Sequence, residues 1–175
     1  MENLRYPIGR FDKDKNDYQL EELLGFVVQI QSFPGDLAKL INGLTADDLK
    51  KTYREGSWNV QQIIHHLADS HMNAWLRTKF CLTEENPTIK PYDENAFAAG
   101  IDYGFNHAAS YVLLVGLHQR WSLLLLECLK TPELLLRIWT HPEHGKTFTL
   151  AQLIAMYAWH GRQHLAHIGL ALQNQ

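Results

Sequence analysis

The chain has only two cysteines in 175 residues. Cys81 and Cys128 stand far apart, with no C-x-x-C spacing, which excludes a disulfide framework and the usual cysteine zinc and redox motifs. Each falls in an apolar helical pattern, so both are expected to be inert core thiols. There is no long basic run and the net charge is −3, which argues against nucleic acid or an anionic membrane surface as partner. No apolar run approaches the roughly 20 residues needed to span a bilayer. The opening MENLRYPIGRF lacks the apolar h-region of a signal peptide. The expectation is a cytoplasmic protein without a membrane partner. No repeat, low-complexity tract or composition shift marks a linker, so residues 1–175 read as a single domain, long enough for a full hydrophobic core.

What the chain does have is helical periodicity and histidine. Leu20, Leu23, Leu24, Val27 and Ile30 recur at helical spacing from about Asp17. Pro34-Gly35 is expected to kink or break that helix. The pattern resumes through Leu37, Leu40 and Ile41 and stops near Gly43, and a short helix is expected after Thr45. Asn59 with Gln62 forms a capping box for a second long helix reaching about Leu82. Residues Thr83 to Phe105 read as a long loop, a place where function often resides. A very apolar third helix spans about His107–Leu129, and Thr131-Pro132 opens a short one. Ile138–Thr140 and Thr147–Thr149 read as two extended arms around a turn. Thr149 and Gln152 cap a last helix reaching about Gln173. The expected fold is all-α: a four-helix bundle with long crossover loops.

The ten histidines are mostly clustered. His160 and His164 lie one turn apart, where two imidazoles can converge on one cation. The spacing matches that of H-E-x-x-H zinc helices, but Gly161-Arg162-Gln163 intervenes and the glutamate base is missing, which excludes a protease of that type. A third ligand must come from elsewhere, and HHLADSH on the second helix offers His65, His66 and His71. Periodicity favours His71, on the stripe of Val60, Ile64 and Leu67; His66 sits at its edge and His65 opposite, as a structural histidine. A three-histidine site without a protein anion keeps a coordination position open, the pattern of catalytic rather than structural zinc. Such a site can activate water or a thiol.

Other groups read more plainly. His167 can orient a ligand, act as a base or pack. Asp69 can accept an imidazole N–H or stay solvated, and Arg162 faces solvent. His141 and His144 read as lying on a plain turn, with overhanging the site as the alternative. His107 and His118 read as ordinary helix residues. Trp58, Trp75, Trp121, Trp139 and Trp159 read as core rather than a cofactor platform.

Five stretches together carry a family likeness: YPIGRF at Tyr6–Phe11, YREGSWNVQQIIHHLADSHMN at Tyr53–Asn73, LTEENPTIKPYDENAF at Leu82–Phe97, HPEHGKTFTL at His141–Leu150 and YAWHGRQHLAHI at Tyr157–Ile168. The chain resembles the DinB-like superfamily, and within it the YfiT subgroup of metal-dependent hydrolases. The resemblance implies a four-helix bundle, a homodimer, and one divalent metal per chain, zinc first and nickel second. It implies His66, His160 and His164 as ligands, displacing the periodicity's choice of His71. His71 and His167 are left to proton transfer or ligand support. The implied activity is hydrolysis of a small-molecule substrate. Thiol S-transfer, as in bacillithiol-, mycothiol- or glutathione-using branches, is the alternative, and a non-catalytic metal-binding bundle the second.

Overall fold

The computed structural model describes residues 2–142 and 145–173. Seven helices are present among them: α1 (Glu2–Arg5), α2 (Leu20–Ile41), α3 (Val60–Thr83), α4 (Glu94–Ala98), α5 (Ala108–Leu129), α6 (Pro132–Leu135) and α7 (Leu150–Gln173). Short 3-10 turns occupy Asp48–Lys50 and Ile101–Gly104. Strands β1 (Ile138–His141) and β2 (Lys146–Thr149) pair antiparallel, with Trp139 opposite Phe148.

α2, α3, α5 and α7 form the bundle. α2 and α3 each pack against both α5 and α7, so the two long helices that are consecutive in sequence stand on opposite corners. The expected capping boxes start two of them. Asn59 accepts from the backbone N–H of Gln62, whose side chain returns to Asn59. Thr149 and Gln152 exchange the same pair of bonds. The core lies in two parts: Leu23, Val27, Ile30, Trp121, Leu125 and Trp139 at one end, and Phe33, Leu37, Val60, Ile64, Leu67 and Leu114 at the other. Both cysteines are buried and free, and burial pushes the Cys81 thiol up to about 11, as expected of an inert core group.

The structure corrects three expectations. α2 runs unbroken through Pro34. A proline inside a helix removes the N–H that would bond the carbonyl four residues back, here that of Ile30. His118 of α5 donates its Nδ1–H to that carbonyl, so the loss is made good from a neighbouring helix. The stretch from Thr83 to Phe105 contains α4 and a 3-10 turn; the Asp93 carboxylate caps α4 by accepting from the N–H groups of Asn95 and Ala96. Finally, α5 has only two charges, Arg120 and Glu127, and is long and apolar enough to cross a membrane by length and composition. Here it packs as a bundle helix, burying Leu114, His118, Trp121, Leu125 and Cys128.

Candidate metal centre

α3 and α7 pack side by side in the bundle, and their histidines meet between them. His66, His160 and His164 each offer one ring nitrogen, and the three atoms lie within 4.8 Å of one another. Nε2 of His66 stands 3.2 Å from Nε2 of His160. Two nitrogens bound tetrahedrally to one zinc at about 2.0–2.1 Å would be separated by roughly 3.3 Å, so the pair already has the span of a coordination edge. His66 is buried, and its Nδ1 finds no partner among the described residues. Burial holds the His66 imidazole down to about 4. Burial first, and neighbouring imidazoles second, hold His160 and His164 well below the ordinary histidine value. All three are therefore neutral at pH 7, the state that ligates a metal. The residues present fit a divalent cation.

Behind His160 runs a chain of hydrogen bonds whose direction is fixed. A backbone carbonyl can only accept, so the bond to Ile30 places a proton on Nδ1 of His118 and leaves its Nε2 as acceptor. His118 Nε2 lies 2.7 Å from Nδ1 of His71, which must donate. His71 Nε2 then accepts from Nδ1 of His160 at 3.1 Å. Burial holds His118 down to about 4 and His71 well below its ordinary value, so these rings are neutral and each donates once. The chain ends with a lone pair on Nε2 of His160, aimed at the centre. His164 is treated similarly. His167 donates Nε2–H to the Arg5 carbonyl at 3.2 Å, and its Nδ1 accepts from Nδ1 of His164 at 3.4 Å. Imidazoles bound to metals are commonly oriented by such a bond from the other ring nitrogen.

Packing supports the chain. Phe33 stacks on the His118 ring at 4.9 Å and meets His71 at 5.0 Å. Gly161 makes room for Phe33: a Cβ there would sit 2.9 Å from Phe33 Cδ2 and 3.7 Å from His71 Cε1.

His66, His160 and His164 all line a cavity of about 400 Å³, and beside it lies a second, of about 670 Å³, that reaches His160 and is bordered by Tyr157, Arg77 and Trp159. His141 lines it too, whereas His144 lies outside the described residues. His65 is the structural histidine expected of it, bonded to the Ser110 hydroxyl and the Phe105 carbonyl. Arg162 is exposed, as expected. Asp69 serves no imidazole; it accepts from the Tyr103 hydroxyl at 2.7 Å. Trp121 and Trp139 are core, but Trp58 lies 4.6 Å from the His66 ring and Trp159 lines the cavity, so these two belong to the site's surroundings. Sequence reasoning missed His118, although it follows Leu114 by four residues and precedes Trp121 and Leu125 on one buried stripe. It also missed Arg77.

A four-helix bundle with three neutral imidazoles converging at a cavity defines a class: helical bundles with a candidate histidine metal centre. The chain belongs to the DinB superfamily, whose sequence profile matches residues 29–168. It is 44% identical over 172 residues to a Halalkalibacterium halodurans protein named "Putative metal-dependent hydrolase BH0277", covering 98% of each chain. A similarly named Oceanobacillus iheyensis protein is 42% identical, over 95% of this chain and 94% of that one. Among solved structures, YfiT from Bacillus subtilis, described as a probable metal-dependent hydrolase with an unusual four-helix bundle topology, matches at TM-score 0.90 and 37% identity. That match covers 95% of this chain and 94% of that one. A mycothiol-dependent maleylpyruvate isomerase shares the fold at TM-score 0.66 and 18% identity, over 87% of this chain and 62% of that one.

Proposed function

We propose that the protein is a metal-dependent hydrolase of a small-molecule substrate, with His66, His160 and His164 holding one divalent cation. The observation that carries this reading is the convergence of three neutral imidazole nitrogens within 4.8 Å, with no carboxylate in the group among the described residues, at a cavity of about 400 Å³ that all three line. Imidazole ligands suit zinc and also nickel; zinc is the first choice here and nickel the second. A cation in such a site supplies Lewis acidity, acidifying a water and polarising an acyl or phosphoryl oxygen. The chain's own residues present the three lone pairs and hold them in register. His71 and His167 act on the ligands rather than on substrate, because both ring nitrogens of each are already engaged. Names of relatives at 42–44% identity support the reading. The fold shared with the mycothiol enzyme speaks only to architecture.

The test is metal analysis of untagged protein, wild type and His66→Ala, His160→Ala and His164→Ala, followed by assays on esters and amides with and without added thiol. One equivalent of metal in the wild type, its loss in each variant, and thiol-independent cleavage are expected. Full occupancy in all three variants would remove the site. Turnover only with thiol would make the protein a thiol S-transferase, and metal binding without turnover a non-catalytic bundle.

A further inference from the structure

Arg77 is a buried cation at the edge of the larger cavity. It is 9% exposed, deep on α3. Its Nη1 donates to the Tyr157 hydroxyl oxygen at 3.1 Å, and its Nε is buried with no partner among the described residues. No carboxylate of the described residues stands within ion-pair distance of it. A guanidinium taken from water and left without a counter-ion is costly, far more than a neutral side chain of its size. A helix position opposite a tyrosine would accept many cheaper residues.

The place of Arg77 in the fold gives that cost a use. On α3, Ser70 follows His66 by four residues and Arg77 follows Ser70 by seven, so the three lie along one face. On α7, Tyr157 precedes His160 by three residues and faces the same space. The larger cavity therefore runs from His160, which it shares with the cavity of the three histidines, past Tyr157 to Arg77, and both Tyr157 and Arg77 line it. Because the Tyr157 oxygen accepts from Arg77, its own O–H is free to donate into that space. Charge agrees: Arg10, Lys13 and Arg77 line the cavity against a single acid, Glu94, in a chain whose net charge is −3. Much of the remaining wall is aromatic, including Trp139, Phe148 and Trp159.

We infer that the substrate of this site carries a carboxylate, which pairs with Arg77 and the Tyr157 hydroxyl, on an apolar or aromatic body that fits the cavity. The inference rests on the hydrolase reading only in calling the ligand a substrate. Arg77 and Tyr157 hold one end, and the bond to be cleaved lies at the histidine end. About 670 Å³ suits a molecule of modest size, since small-molecule sites span roughly 300–1,000 Å³.

Benzoate and benzyl alcohol, alike in body and different in charge, are suitable probes for the zinc-loaded protein, with binding followed by calorimetry. Benzoate should bind at least about ten-fold more tightly, as a charge-assisted pair requires. Arg77→Gln should abolish that preference while metal content stays at the wild-type level. Benzoate binding undiminished in Arg77→Gln would put the carboxylate on the metal and overturn the inference. If that variant does not fold, the wild type still decides: the Arg77 Nε–H resonance should shift with benzoate and not with benzyl alcohol, and an unmoved resonance overturns it. These results are independent of turnover. Benzoate selectivity without ester cleavage would fail the hydrolase reading alone, whereas ester cleavage without benzoate selectivity would fail this inference alone.

Discussion

His118 donates to the carbonyl of Ile30, the one acceptor in α2 that Pro34 leaves without a helical donor. A defect in one helix thereby anchors a side chain of another, and that side chain sets the proton positions of His71 and His160. The proline is thus part of the support of the candidate metal centre. His118→Phe keeps the stack on Phe33 but strands the Ile30 carbonyl and the His71 N–H. It should cost about 1–3 kcal/mol of stability and weaken metal binding by roughly 10–100-fold. Chelator competition and denaturant titration measure the two effects. An unchanged metal affinity would mean that the chain does not orient His160.

Acid should unfold the metal-free protein early. In the folded state burial holds His66 and His118 down to about 4, and His71 and His160 below their ordinary value. Unfolded histidines titrate near 6.5. Between about 6.5 and 4 the unfolded chain therefore binds more protons than the folded one, so stability falls as pH falls through that window and is fully present above it. Denaturation midpoints at pH 7.5, 6 and 5 should fall in that order. A flat profile would show that these imidazoles are not held neutral.

Metal should widen that margin. A cation that binds only the folded state stabilises it by mass action, and protons compete for the same nitrogens. Zinc should raise the melting temperature clearly at pH 7.5 and much less at pH 5. His160→Ala should show no zinc-dependent rise at either pH.

Gly161 is a packing requirement. The added Cβ of Gly161→Ala meets the Phe33 ring at 2.9 Å, with His71 behind it. Overpacking of this kind typically costs about 1–3 kcal/mol. The lost stability should be accompanied by lower metal occupancy, read by thermal melts and metal analysis. Wild-type values for both would show that the Phe33 ring moves aside freely.

The homodimer implied by the family resemblance has a candidate surface. Leu20 and Leu24 of α2 and Leu123 of α5 are 50%, 47% and 57% exposed and line one groove with Leu126 and Leu129. Sedimentation equilibrium should give about twice the 20.2 kDa chain mass. Leu24→Glu with Leu123→Glu should return it to the monomer; a monomeric wild type at micromolar concentration ends the proposal.

Much of this was legible in the chain itself. The capping residues Asn59, Gln62, Thr149 and Gln152 mark helix starts because their bonds are local, closing within three residues. The pair His160 and His164 shares a face because helical spacing alone puts it there. The long helices were readable for the same reason: their apolar stripes recur at a fixed period. What local rules could not supply was the pairing of one helix with another. Periodicity favoured His71 and the family resemblance His66; both are buried in the same cluster, His66 within the three-histidine group and His71 behind His160. Pro34 read as a break because its missing hydrogen bond is visible locally, whereas the compensating donor, His118, is 84 positions downstream. Arg77 drew no reading from the sequence, since burial and the want of a counter-ion are properties of the packed state. The sequence by itself determined which residues are helical and which two histidines travel together. The third imidazole, His66, came from the family resemblance and not from periodicity. Only the tertiary structure decided which way the protons point and where a charge lies buried, because both depend on contacts between helices that no local period encodes.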